Sequence, residues 1–314
     1  MAWREYPSGD NTMNKDVPHS DLAIVQVNGI RIAYDTFGDT SSPPLLLIMG
    51  LGGQMINWHE EFCAQLAAEG YWVIRFDNRD VGLSSKFDGA GVPDLDSLTL
   101  ALYRGQAVDL PYTLRDMAND AVGLLDALQI KSAHILGTSM GGRIAQLIAL
   151  HNPNRVRTLI PIMSPMGEPG YPPPSPEALA ILHEPAPKDR EGYIEYSVRA
   201  ARVLSGPAFP IEEGLVRERA GKAFDRCVNP GGVTRQLAAL MAAGGVKKDL
   251  GFLNIPTLVI HGSHDPLIPV ECAADMASII PGAQLLIIEG MGHSLADFPR
   301  LWPHVIDAVT RHAV

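Results

Sequence analysis

The stretch His134-Ile135-Leu136-Gly137-Thr138-Ser139-Met140-Gly141-Gly142 decides the fold of this chain. It begins as an apolar segment of strand length, turns at a serine and continues into a helix-forming sequence. Small residues two positions before and two after the serine are typical of a nucleophile elbow, a strained strand-to-helix turn. The pattern therefore predicts that Ser139 stands at a helix N-terminus, where free N–H groups and the helix dipole stabilise a developing negative charge.

Composition predicts one large globular unit. The chain has 314 residues, of which 46% are hydrophobic and 19% charged, so it can bury a sizeable core. A net charge of -10 and the lack of a Lys/Arg run argue against nucleic acid as a partner. Cys63, Cys227 and Cys272 are widely separated and predict neither a disulfide framework nor a metal site.

The first 20 residues are polar and contain no long apolar segment. They have the features of neither a signal peptide nor a membrane-spanning helix. We therefore expect a flexible tail over residues 1–20, no membrane association and a cytoplasmic protein.

Strand and helix patterns alternate along most of the chain. Asn28-Gly29 between two segments of alternating polarity predicts an antiparallel hairpin. Further strands are predicted at 45–49, 72–76, 158–163, 257–261 and 284–288, and helices at 58–69 and 113–128. Residues 85–112 show no regular pattern. This order predicts an α/β fold with a mostly parallel, doubly wound sheet.

More than 90 residues separate the predicted strands at 158–163 and 257–261, far more than a crossover helix needs. Helical patterns in this interval lie near 177–183, 192–204, 213–227 and 233–243. We expect residues 164–249 to form a helical cap, or lid, over the C-terminal edge of the sheet, where such sheets bind ligands. Residues 21–163 and 250–314 would form the core.

A nucleophilic serine needs a base, and the base needs an acid that orients it. Asp265 comes just after the strand at 257–261, and His293 follows the last predicted strand, so both are expected at the same sheet edge as Ser139. The order Ser, Asp, His along the chain is that of known triads. His264 is a weaker candidate for the base, and Glu289 and Asp297 are rival acids.

An oxyanion hole needs two backbone N–H groups, one from the residue after the nucleophile and one from the loop after the third strand. Met140 and Leu51 occupy these positions. Gly50 and Gly52 flank Leu51 and allow the backbone to approach a ligand closely.

These motifs together resemble the α/β-hydrolase superfamily from residue 23 to residue 312. Within it, four segments are similar to capped serine esterases of the aclacinomycin methylesterase type: Met49-Gly50-Leu51-Gly52, Asp77-Asn78-Arg79, Gly137-Thr138-Ser139-Met140-Gly141 and Gly290-Met291-Gly292-His293. The resemblance implies hydrolysis of carboxylic esters without a cofactor or a metal.

The chain departs from the commoner family pattern at two positions: Met49 replaces a histidine, and Asp80 replaces a glycine. Both changes fall in loops near the predicted site, and they affect local hydrogen bonding rather than the triad. In the second loop we expect Asp77 and Arg79 to join neighbouring loops through charge-assisted hydrogen bonds.

The preferred interpretation is a carboxylesterase that acts on small to medium, uncharged esters through an acyl-Ser139 intermediate. The same triad could cleave carbon–carbon bonds of diketones or transfer an acyl group to peroxide or an alcohol, and a receptor on this fold would need no triad. The predicted substrate pocket consists of Gly50, Gly52, Tyr171, Phe209, Met241 and Leu267. Other apolar cap residues that could face the triad are Leu179, Leu182, Leu215 and Leu240.

Overall fold

The computed structural model describes residues 17–296 and 298–313. Residues 1–16 of the predicted tail lie outside this range. Residues 17–20 are instead attached to the sheet, because His19 forms a bridge with Phe37 and the N–H of Ser20 donates to the carbonyl of Thr36 at 2.9 Å. The prediction of a flexible tail is therefore wrong for residues 17–20.

Eight strands of the described chain form one sheet in the order β1-β2-β4-β3-β5-β6-β7-β8. The strands β1 to β8 are Ala23–Val27, Ile30–Phe37, Pro44–Ile48, Trp72–Phe76, Ala133–Thr138, Val156–Ile162, Leu258–Gly262 and Gln284–Ile288. β1 and β2 form the predicted antiparallel hairpin, and β2 is also antiparallel to β4. All pairs from β4 to β8 are parallel, which confirms the mostly parallel sheet.

Helices of the described residues cover both faces of the sheet. The helices α1 to α11 are Glu60–Ala68, Leu95–Tyr103, Leu114–Ala127, Met140–His151, Pro176–His183, Arg190–Leu204, Glu213–Arg226, Pro230–Ala242, Lys247–Leu250, Val270–Ile279 and Trp302–His312. α3 begins where a capping box forms, with Thr113 and Asp116 each binding the backbone N–H of the other.

The core has two layers because alternate residues of a strand point to opposite faces. Leu46 and Ile48 of β3 pack with α3, α4 and α10, whereas Leu45 and Leu47 pack with α1 and α11. All five residues of β3 are buried, as expected for a central strand of a parallel sheet covered on both faces.

Residues 85–112 contain a helix that the sequence patterns did not predict. α2 starts at the cap residue Asp94, whose carboxylate accepts the N–H of Asp96 at 3.1 Å. Only Leu98 of this helix is buried, so its apolar residues do not mark a single buried face. The helix packs against α8.

The predicted helical segments between β6 and β7 are confirmed as α5 to α8, and the short α9 follows them. We call residues 164–249 the helical insert. Its helices α6 and α7 pack against each other, and α8 contacts α2 and α3 of the core. Val233 of α8 lies beside Gly52, and residues of the insert share a cavity with Ser139, so the insert meets the core on the side where β3 and β5 end.

Candidate active site

Ser139 lies at the turn between β5 and α4, with φ 53° and ψ -121°. This left-handed conformation is costly for a residue with a side chain and is held by its surroundings. A Cβ on Gly141 would lie 2.1 Å from the carbonyl oxygen of Ile48, and one on Gly137 would lie 2.2 Å from that of Gly141. The two glycines therefore let β5, β3 and α4 approach closely enough to form the elbow.

The structure brings Ser139, His293 and Asp265 into one chain of hydrogen bonds. Nε2 of His293 is 3.0 Å from Oγ of Ser139, and Nδ1 of His293 is 2.7 Å from Oδ2 of Asp265. The side chain of Asp265 has no exposed surface and that of His293 is 7% exposed. This geometry can pass the serine proton to the imidazole and stabilise the resulting cation.

Asp265 is held as a carboxylate. Burial by itself would raise its pKa, but the charge and hydrogen bond of His293, with His261 and the Ile268 N–H, lower it below the ordinary value. Its Oδ1 accepts the N–H groups of Leu267 and Ile268, each at 2.8 Å.

His261 was not predicted to lie at the site. It is the residue before the last of β7 and its side chain is fully buried. Its Nε2 is 2.9 Å from the carbonyl oxygen of Ile268 and 3.4 Å from Oδ2 of Asp265. His261 ends the predicted strand 257–261, four residues before Asp265. This position is the sequence signal that could have indicated the contact.

The alternative base, His264, and the alternative acids, Glu289 and Asp297, are not placed in this chain of hydrogen bonds. Nδ1 of His264 forms a hydrogen bond with Oγ of Ser263 at 2.8 Å and lies 3.7 Å from Oε1 of Glu289. Both His264 and Glu289 have at least half of their side chains exposed. Asp297 is not among the described residues. The contacts therefore join His293 with Asp265 and not with Glu289.

The predicted oxyanion groups flank the serine. Met140 is the first residue of α4, so its N–H has no acceptor within the helix. Leu51 follows Gly50, where an added Cβ would be 3.2 Å from Cβ of Ser139. Gly53 N–H donates to the carbonyl of Gly50 at 3.2 Å, which closes a turn around Leu51. Both backbone segments are thus within reach of the serine.

The loop after β4 has the structural role predicted for it. Asp77 accepts the N–H groups of Met55 at 2.7 Å and Leu83 at 2.8 Å. Arg79 binds both carboxylate oxygens of Asp120 at 2.6 and 2.8 Å. These contacts confirm that Asp77 and Arg79 join neighbouring segments.

Asp80, the departure from the family pattern, has a partner in the helical insert. Both of its oxygens bind Arg235 of α8 at 2.8 Å, and Tyr112 donates to it at 2.7 Å. Burial opposes ionisation, but Arg235, Tyr112 and the N–H of Phe87 more than offset it and lower the pKa of Asp80. Nothing in the sequence around Asp80 indicates that its partner is an arginine 155 positions further along the chain.

Met49, the other departure, takes part in the same loops. Its carbonyl accepts from Nδ2 of Asn78 at 3.0 Å, and Oγ1 of Thr138 donates to its sulfur at 3.6 Å. The side chain packs into the buried cluster on the α1 and α11 side of the sheet. A thioether here contributes to packing rather than to a charged contact.

A cavity of about 730 Å³ opens over Ser139 and His293 and is covered by helices of the insert. Its lining includes Gly50, Gly52 and Leu267, as predicted, together with Leu182 and Leu240. The helices α5, α6 and α8 all contribute residues. The last residue of α6, Leu204, also accepts the backbone N–H of His293 at 2.7 Å.

Three predicted pocket residues do not line the cavity. Tyr171 donates its hydroxyl to Asp275 of α10, and Phe209 packs against the buried cluster beside α11. Met241 also lies outside the lining, to which α8 contributes Val233, Thr234, Leu237 and Leu240. Leu179 and Leu215 also lie outside the lining, and Leu179 is 42% exposed. Composition alone could not show which face of each helix points inward.

No group of three His, Cys, Asp or Glu side chains within 17–296 and 298–313 is arranged to hold a metal ion. In the same part of the chain, no helix combines the length and apolar character needed to cross a membrane.

Comparison with known proteins gives matches over most of the chain. A family model described as alpha/beta hydrolase fold matches residues 43–206, and one described as TAP-like protein matches residues 241–299. Rhodomycin D methylesterase DauP of Streptomyces sp. (strain C5) is 34% identical over 298 residues, covering 87% of this chain and 92% of that protein. A 2-hydroxymuconate semialdehyde hydrolase of Pseudomonas sp. (strain CF600) is 31% identical over 201 residues, covering 61% and 66%.

Among solved structures, the esterase RhEst1 from Rhodococcus sp. ECU1013 has a TM-score of 0.70 at 22% identity, covering 93% of this chain and 98% of that one. The sheet, the elbow and these matches define a carboxylic ester hydrolase. The chain belongs to the alpha/beta hydrolase family, and its similarity to a rhodomycin D methylesterase bears out the predicted type of esterase.

Proposed function

We propose that this protein is a serine carboxylesterase that hydrolyses small to medium, uncharged esters through an acyl-Ser139 intermediate. The observation that carries the proposal is the continuous contact from Asp265 through His293 to Ser139 at the floor of a covered cavity. An aligned nucleophile, base and acid, open to a space of ligand size, is the arrangement that acyl transfer requires.

In the first half-reaction, Oγ of Ser139 attacks the ester carbonyl and its proton passes to Nε2 of His293. The carbonyl π electrons move to oxygen, and the N–H groups of Met140 and Leu51 stabilise this oxyanion. When the oxyanion collapses, the bond to the alcohol oxygen breaks and His293 returns the proton to the leaving alcohol. Ser139 then carries the acyl group.

In the second half-reaction, water replaces the alcohol. His293 removes a proton from the water as it attacks the acyl carbon, and a second oxyanion forms in the same place. Its collapse breaks the bond to Oγ, and the proton returns to Ser139 while the acid departs. The Asp265 carboxylate stabilises the imidazolium at both stages.

The cavity supports the proposed size and charge of the substrate. Its volume of about 730 Å³ falls within the range of about 300–1,000 Å³ that is usual for small-molecule sites. Apolar side chains such as Leu182, Leu237 and Leu240 line much of it, with Arg219 and Glu184 also at its wall, and a charged acyl group placed against the leucines would lose its hydration. The similarity to a methylesterase further supports a small leaving alcohol, with the acid part of the ester in the cavity.

The test is a hydrolysis screen with p-nitrophenyl esters of increasing acyl length, run with the wild-type protein and the Ser139→Ala variant. We expect the wild type to hydrolyse the soluble esters and the variant to lose essentially all activity while keeping its fold. A fluorophosphonate should add to Ser139 alone, as located by peptide mapping. A variant with more than a few per cent of activity, or an adduct on another serine, would overturn the proposal.

A second candidate uses the same three residues to hydrolyse carbon–carbon bonds of diketones. This candidate is supported by the similarity to a 2-hydroxymuconate semialdehyde hydrolase, because the substrate named for that enzyme is not an ester. Assays with diketones and with peroxide, run beside the ester screen, distinguish these activities because each detects a different product. Each activity should be lost in Ser139→Ala.

A further inference from the structure

Gln236 of α8 connects the helical insert with the loop that contains Leu51. Its Oε1 accepts the N–H of Gly52 at 2.9 Å, and its Nε2 donates to the carbonyl of Arg79 at 2.7 Å. The residue has no exposed surface. One buried amide thus joins the loop after β3, the loop after β4 and the insert.

The bond to Gly52 fixes the direction of the peptide next to Leu51. Gly50 to Gly53 form a turn closed by a bond of 3.2 Å, and Gly52 has the positive φ of 67° that this turn needs. The central peptide of the turn joins Leu51 to Gly52 and donates to Gln236. Because this peptide and the one that carries the Leu51 N–H share a Cα, rotating the first redirects the second.

α8 is itself fixed to the core at this point. Arg235, the neighbour of Gln236, forms the buried pair with Asp80, and Val233 lies 3.0 Å from a Cβ built on Gly52. The helix can therefore hold the turn in one place, which is what preorganised stabilisation of an oxyanion needs.

We propose that Gln236 is a positioning residue for the oxyanion hole, so that the insert completes the catalytic site as well as covering it. This inference rests on the proposed function, because it takes Leu51 N–H as an oxyanion donor. Gln236 does not touch the reacting atoms and acts only through the orientation of the turn.

The test compares Gln236→Met with Gln146→Met. Gln146 is also buried and bonded through its amide, to Ser164 at 3.1 Å, but it has no contact with the turn. Both variants remove one buried amide and retain its volume, so both should lose thermal stability. Only Gln236→Met should lower kcat on p-nitrophenyl butyrate, with KM within about twofold of wild type.

Removing an oxyanion donor outright costs about 10²–10³ in kcat, and a displaced donor should cost less, about tenfold or more. A trifluoromethyl ketone, which forms an oxyanion when Ser139 adds to it, should bind Gln236→Met more weakly by a similar factor. Dipropyl ether, which is uncharged and has no carbonyl that could form an oxyanion, should compete equally well against wild type and variant.

An unchanged kcat in Gln236→Met, or a rise in KM alone, would overturn the proposal. If that variant does not fold, Gln236→Asn keeps the polar groups but is one methylene too short to span both partners, and the same loss of kcat is expected of it. Retained activity in Ser139→Ala would instead overturn the proposed function, so the two failures are distinguishable.

Discussion

Asp80 of the loop after β4 and Arg235 of α8 form a two-point ion pair, with both N to O distances at 2.8 Å and at most 2% of either residue exposed. The pair crosses from the core to the helical insert. Removing Arg235 would leave the Asp80 carboxylate buried without its cation, and a broken buried pair is strongly destabilising. Removing Asp80 would leave Arg235 paired with Asp88, whose carboxylate oxygen is 2.8 Å away.

Asp80→Asn should lower the free energy of unfolding by no more than about 3 kcal/mol at pH 7, because Arg235 keeps Asp88 as a second partner. The folded-state pKa of Asp80 is lowered, so its charge stabilises the fold at pH values above the unfolded-state pKa of about 4. That contribution is lost as the pH falls through the folded-state pKa. Thermal unfolding from pH 7 to 3 should show a constant Tm difference from wild type down to about pH 5, and a shrinking one below about pH 4. A difference that grows on acidification would contradict this assignment.

His293→Ala should lose nearly as much kcat/KM as Ser139→Ala, on the order of 10⁴-fold or more, because either change disables the same step. Asp265→Asn should retain somewhat more activity. The double variant Ser139→Ala/His293→Ala should be no worse than the worse single variant. Steady-state assays on p-nitrophenyl butyrate measure this, and strictly additive losses would show that the residues do not act as one unit.

Gly141→Ala should prevent stable folding or cost at least about 3 kcal/mol, because its Cβ would lie 2.1 Å from the carbonyl oxygen of Ile48. β3 is fully buried and paired with β4 and β5, so its backbone cannot move away from the added Cβ. Gly214→Ala is the control: it lies in α7 with nothing within 4 Å of an added Cβ and should raise stability by up to about 1 kcal/mol. Denaturant unfolding measures both changes.

Lengthening a short acyl chain by one CH₂ should raise kcat/KM about fourfold, since each buried CH₂ contributes about 0.8 kcal/mol. The rise should stop when the cavity of about 730 Å³ is full. Anionic and polymeric esters should be poor substrates. The p-nitrophenyl ester series measures this dependence, and faster turnover of emulsified long-chain triglycerides would indicate an open surface site instead.

The sequence predicted the sheet and the elbow because both leave a local signature. β4 and β8 begin and end where the patterns placed them, since strand periodicity and turn residues act over a few positions. The positions of Ser139, Asp265 and His293 after strands were enough to predict that they share one edge.

The contacts of the insert could not be predicted in the same way. Tyr171 and Phe209 are apolar residues on the expected segments, but they lie in loops and contact Asp275 and the buried cluster beside α11 instead of the cavity. Arg235 and Gln236 are far along the chain from Asp80 and Gly52. Buried polar partners at such separation leave no periodic signal, and α2 was missed because its apolar residues do not form one buried stripe.

The backbone contact between Leu204 and His293 has a consequence for recombination among related enzymes. Through this contact the insert holds the loop that contains His293. Gln236 holds the turn at Gly52, and Arg235 neutralises Asp80. A chimera joined near residues 163 and 250 would receive new helices without these matched groups. Replacing the insert to change substrate range therefore requires carrying the residues at both positions 80 and 235 as a unit, or a carboxylate is left in the interior without its cation.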